Sequence, residues 1–156
     1  MSKPTVYLET TIPSYLTARP SGHLVTAAKQ QMTRDWWAKQ RSKYSLFISA
    51  AVEDEAKRGD AEFVKARLKE LSGIPALDIT PAVLALTKTL ARKMSLPEKK
   101  HTDALHIAVA ACHQMDFLLT WNCTHINNAQ LLPKVEAICE QSGYRCPVIC
   151  TPAELS

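Results

Sequence analysis

Short apolar runs alternate with longer amphipathic stretches along this chain, and that alternation limits its fold more than any other feature. Thr5–Leu8, Tyr44–Ile48, Ile74–Ile79, Phe117–Thr120 and Val148–Cys150 each read as a short buried strand. Between them, apolar residues recur at helical spacing. Leu24, Ala28, Met32 and Trp36 stand four apart in a helix expected from Leu24 to about Lys43. Val64, Leu68 and Leu71 mark a second stripe, Val83, Leu86, Leu90 and Met94 a third, and Leu132, Val135 and Cys139 a last one, closed by Gly143. Thr10, Thr11 and Pro13 open a helix, since proline is tolerated in a first turn. Ser49 is an expected N-cap for a helix that ends before Gly59. Pro75 suits an edge strand, because proline cannot donate to a ladder. Strands alternating with helices predict a three-layer α/β fold around a parallel sheet of about five short strands. The 156 residues suit a single domain, 1–156.

Composition sets the outer bounds. A hydrophobic content of 46% with 22% charged residues is that expected of an ordinary soluble globular protein. No apolar stretch reaches the length of a membrane span, and the opening MSKPTVYLETT carries no apolar segment followed by a cleavage site, so a cytoplasmic protein without a secretory signal is expected. The five cysteines (112, 123, 139, 146 and 150) form no C-x-x-C pair, which points to reduced thiols acting as small core hydrophobes. The net charge of +4 is compatible with a nucleic-acid ligand without requiring one. No phosphate-binding glycine loop and no nucleophile elbow occurs.

Against this apolar background four polar residues stand out. Glu9 ends the VYLET run, at the carboxyl edge of a strand. Glu55 lies in VEDEA, on the helical face of Ala51 and Val52. Asp103 opens the almost wholly apolar HTDALHIAVAA helix, expected over 101–114. Asn122 follows FLLTW just past another strand. A carboxylate in such surroundings is costly unless it is paired or binds a cation, and acids converging on one sheet edge make an oxygen site for a hard divalent metal. In open α/β sheets that edge, where strand order reverses, is where ligands bind. His106, one turn beyond Asp103, either stabilises a carboxylate or shares its cleft, and His125 is a further candidate group. His23, His101 and His113 read as surface or core residues. Arg92, Lys93, Lys99 and Lys100 could contact phosphate near the mouth.

In order along the chain, YLETTIPSYL, FISAAVEDEAKRG, TDALHIAVA and LLTWN resemble the PIN-domain family, in particular the VapC-like toxin ribonucleases of toxin–antitoxin systems. The resemblance runs from Val6 to about Ile149. It implies metal-dependent hydrolysis of RNA, with Mg²⁺ or Mn²⁺ held by Glu9 and Asp103, and Glu55 in the same pocket as a further metal ligand or as the base that orients water. On this match Glu9 takes the place of a strand-end aspartate, Thr10 the small hydroxyl position after it, and Thr120 and Asn122 a T-x-N position. Asn122 would hydrogen-bond water or a phosphate oxygen. The partners implied are an RNA substrate, a cognate antitoxin protein and a second copy in a homodimer, with no membrane; the exposed part of the 24–43 helix is the expected docking surface. Two departures from the family pattern, glutamate at position 9 and an amide at 122, keep a second reading in play: a PIN-like domain that binds RNA or a partner without cutting.

Overall fold

The computed structural model describes residues 2–156. Five strands form one sheet: β1 (Thr5–Leu8), β2 (Ser45–Ser49), β3 (Ala76–Leu77), β4 (Phe117–Leu119) and β5 (Val148–Cys150). Their order is β3-β2-β1-β4-β5, and every neighbouring pair is parallel. Seven α-helices among the described residues flank it: α1 (Thr11–Thr17), α2 (Leu24–Lys39), α3 (Ala50–Ala56), α4 (Ala61–Leu71), α5 (Pro81–Lys93), α6 (His101–Cys112) and α7 (Leu132–Gln141). The expected α/β class with a central parallel sheet is the one found. None of the helices is long and apolar enough to cross a membrane.

β1 lies at the centre, and three of its four residues are fully buried. Such a strand is apolar throughout because helices cover both faces of a parallel sheet. From β1 the chain builds outward on one side through β2 and β3, then crosses to the other side for β4 and β5. Strand order therefore reverses between β1 and β4, so a crevice is expected beyond their carboxyl ends. Glu9 N still donates to Leu119 O at 3.1 Å, and Thr120 N to Cys150 O at 3.0 Å, so the first residues past both strands remain tied to the sheet.

β2 and β4 fall within one residue of the spans read in the sequence; three other boundaries differ, each for a physical reason. The helix expected to run to about Lys43 stops at Lys39. A tighter 3₁₀ turn, Arg41–Lys43, follows, and it brings Tyr44 back to stack on Trp36 at 5.9 Å. The third strand shrinks from Ile74–Ile79 to two residues at the sheet edge. Pro75 has only a carbonyl to offer, which takes Ile48 N at 3.0 Å. Beyond the strand, Thr80 turns the chain into α5, its hydroxyl oxygen accepting from Val83 N. The helix expected over 101–114 ends at Cys112, where Gln114 takes a left-handed φ of 58° and closes the last turn.

α6 buries seven of its twelve residues and is apolar nearly all round, as a fully packed helix must be. α5 packs along it and α7 closes on α5, while α1 packs against α2 and α4. Cys139 and Cys150 are buried as expected, and Cys112 and Cys146 are half-buried. Cys123, by contrast, is exposed in the loop after β4, where no element covers it; all five thiols are free.

Candidate metal centre

The chain turns sharply after β1, with Ile12 N donating to Glu9 O at 3.0 Å. That turn folds the Glu9 side chain inward, and the residue is only 4% exposed. Its Oε1 accepts three hydrogen bonds: from Thr120 Oγ1 at 2.6 Å, from Thr11 Oγ1 at 2.6 Å and from Thr11 N at 3.2 Å. Among the described residues no lysine or arginine pairs with Glu9 and none donates to its Oε2, which leaves that oxygen available to a cation. A buried carboxylate held only by neutral donors is a strong acceptor of positive charge.

Glu55 reaches the same place from α3. Its Oε1 accepts from Thr10 Oγ1 at 2.7 Å and from His106 Nε2 at 2.6 Å. Burial alone would raise its pKa. The hydrogen bonds from His106 and the Thr10 hydroxyl, with the charge of nearby Arg58, outweigh burial and hold the carboxyl below its ordinary range. Glu9, Glu55 and His106 each offer one ligand atom, and these three atoms lie within 4.8 Å of one another, close enough to surround one ion.

Asp103 sits one helical turn before His106 on α6. Its Oδ1 accepts from Asn122 Nδ2 at 3.1 Å. Its Oδ2 lies 3.5 Å from His125 Nδ1, an ion-pair distance but not a hydrogen bond, and this buried atom has no hydrogen-bond partner. Burial raises the Asp103 pKa; His125, His106, Lys100 and Asn122 only partly oppose it. An orphaned, buried carboxylate oxygen suits a cation or a proton as its partner. Asp103 stands outside the tight Glu9–Glu55–His106 group, on its flank.

Asn122 is engaged at both ends. Its Oδ1 accepts from His125 N at 3.0 Å, which leaves its Nδ2 to donate to Asp103. Its backbone N–H donates to Thr120 Oγ1 at 2.9 Å, and the Thr120 hydroxyl in turn donates to Glu9. The four residues singled out from the sequence are thus joined at one end of the sheet: Glu55 to His106, His106 along α6 to Asp103, Asp103 to Asn122, and Asn122 through Thr120 to Glu9. Local reasoning missed Thr11, which donates twice to Glu9 and accepts from Trp121 N at 2.8 Å. It also missed Tyr7 and Ser49, which lie behind His106. A tyrosine hydroxyl within an otherwise apolar central strand was the available signal.

Comparison with known proteins bears on the fold. No family model matches the chain, and no curated protein matches it. Among solved structures, the fold is similar to that of a chain in the crystal structure of VapBC2 from Rickettsia felis bound to a DNA fragment from their promoter. The TM-score is 0.54 at 14% identity, over 94% of this chain and 98% of that one. At that identity the likeness is one of fold, and it extends over nearly the whole chain.

Proposed function

We propose that this protein is a metal-dependent endoribonuclease and the toxin of a toxin–antitoxin pair. The observation that carries the reading is the buried Glu9 carboxylate facing Glu55 at the switch point of the sheet, with no lysine or arginine among the described residues to neutralise it. The orphaned Oδ2 of Asp103 beside that pair supports it, and the fold shared with a VapBC2 chain agrees with it. The donor set is oxygen-rich, which suits Mg²⁺ or Mn²⁺. Glu9, Glu55 and Asp103 would hold the ion, and when bound it supplies Lewis acidity toward the scissile phosphodiester. The chain's own residues do the rest. Thr11 and Thr120 lock Glu9, Thr10 and His106 lock Glu55, and Asn122 orients Asp103. Lys100, whose charge acts on Asp103, would contact a phosphate of the strand.

The partners follow from the same reading: an RNA strand at the acidic crevice, a cognate antitoxin, and a second copy in a homodimer, all in the cytoplasm. Leu24 and Val25, 85% and 67% exposed at the start of α2, offer an apolar surface for a protein partner.

The test is cleavage of RNA by purified protein with Mn²⁺ or Mg²⁺. Asp103→Ala is expected to abolish cleavage while the protein stays folded, and full activity in that variant sinks the assignment. One observation favours the second reading, a domain that binds without cutting. Both ends of the Asn122 amide already hold a hydrogen bond within the protein, which leaves it only one N–H and one lone pair for water or phosphate. A folded protein that binds RNA and Mn²⁺ yet leaves RNA intact would establish it.

A further inference from the structure

A line of buried hydroxyl and imidazole groups ends on Glu55. Tyr7 Oη lies 2.8 Å from Ser49 Oγ and 2.7 Å from His106 Nδ1, and His106 Nε2 lies 2.6 Å from Glu55 Oε1. Tyr7, Ser49 and His106 are each 0% exposed. They come from three different elements: the central strand β1, the end of β2, and α6. Ser49 occupies the N-cap position of α3, yet its side chain makes no cap bond. Serine at an N-cap ordinarily satisfies a free N–H of the helix; here its hydroxyl is committed to Tyr7 instead.

The chemistry of each group sets the direction of the line. An ionised carboxylate only accepts, so the short contact to Glu55 requires a proton on His106 Nε2. In a neutral imidazole the other nitrogen, Nδ1, is then the acceptor, and Tyr7 is the group that donates to it. The Ser49 hydroxyl donates to Tyr7 Oη. Every proton in the line then points toward Glu55, and every member is satisfied.

We propose that Tyr7 and His106 are positioning residues for the metal centre. Tyr7 selects the Nε2–H form of His106, and His106 with Thr10 holds Glu55 Oε1 in place so that its second oxygen is presented to the ion. His106 is thereby a support of the centre rather than a ligand, although its ring lies within reach of one. This inference rests on the metal-centre reading above. Groups that orient metal-binding side chains in this way typically change metal affinity by about 10–100-fold when removed.

The test is a cycle of Mn²⁺ affinities measured by calorimetry. Tyr7→Phe keeps the ring and the packing and removes one hydroxyl; it is expected to weaken Mn²⁺ binding by about 10–100-fold. His106→Gln keeps an N–H donor for Glu55 that needs no help from Tyr7. In that background Tyr7→Phe is expected to cost less than about threefold, because residues acting through one another are non-additive. Unchanged Mn²⁺ affinity in Tyr7→Phe overturns the proposal. So does an equal loss in both backgrounds, which would mean that Tyr7 acts on packing alone. Nitrogen NMR of the metal-free protein gives a separate reading: the Nε2–H form of His106 is expected, and the Nδ1–H form overturns the assigned direction. Wild-type protein that binds no Mn²⁺ overturns the metal reading itself, and is distinguished from failure of the support alone, where wild type binds and Tyr7→Phe binds equally well.

Discussion

At the scale of single residues, length and charge at two positions decide what the centre can do. The Glu9 carboxylate spans to hydroxyls on both Thr11 and Thr120, at 2.6 Å each. Glu9→Asp pulls that carboxylate back by one methylene and breaks this bracing, so Mn²⁺ affinity should fall by about 10–100-fold despite the retained charge; titration of the variant checks this. Asp103 raises a question of stability against function. Its buried Oδ2 lacks a partner and its pKa is raised by burial, so the metal-free protein gains stability as pH falls through that raised value. Glu55, with a lowered pKa, acts in the opposite sense: its contribution is present above the unfolded-state value and is lost as pH falls through the folded one. Asp103→Asn should therefore raise the metal-free Tm near neutral pH, by about 2–4 °C for roughly 1 kcal/mol. The advantage should vanish in acid, where Asp103 is protonated; thermal denaturation against pH measures it. Glu9, Glu55 and Asp103 were visible in the sequence because charge is conspicuous among apolar residues. Tyr7 was not, because it acts across the fold on His106, 99 positions away; Thr11, only two residues from Glu9, reads in the sequence as part of a helix opening and not as a donor to it.

At the scale of elements, α6 carries both Asp103 and His106, so its packing against α5 sets the precision of the centre. Leu90 on α5 is fully buried, whereas Leu84 on the same helix is 49% exposed. Leu90→Ala is expected to cost about 2–5 kcal/mol, and Leu84→Ala less than about 0.5 kcal/mol; urea unfolding of the two variants separates them. Helical periodicity alone marked Leu90 as part of the core stripe, together with Val83 and Leu86. Strands β1 and β5 could likewise be read to the residue, since an apolar run leaves little choice of boundary. The end of α2 could not: the switch to a 3₁₀ turn after Lys39 is driven by Tyr44 returning to stack on Trp36, a tertiary contact that periodicity does not register. The edge strand β3 was overread for a similar reason, as nothing local says how far a neighbour will pair.

At the scale of the whole molecule, alternation of strand and helix predicted a parallel sheet, and the acids predicted which edge matters. The sheet order then explains why residues so far apart in the chain meet. β1 and β4 are neighbours at the point where the order reverses, which sets Glu9 beside Thr120 and Asn122, while α3 and α6 bring Glu55, His106 and Asp103 to the same crevice. The solvent-exposed Leu24 and Val25 lie on α2, outside this hydrogen-bonded network, so the account separates a surface for protein partners from a surface for RNA. Changing Leu24 and Val25 to serine should weaken association with a partner or a second copy while leaving Mn²⁺ affinity within about twofold, as expected for well-separated sites. The most direct measurement is cleavage of a mixed RNA pool by the purified protein with Mn²⁺, repeated with EDTA and with Asp103→Ala. The account predicts cleavage with Mn²⁺ and none in either control; cleavage that survives EDTA or the loss of Asp103 would contradict it.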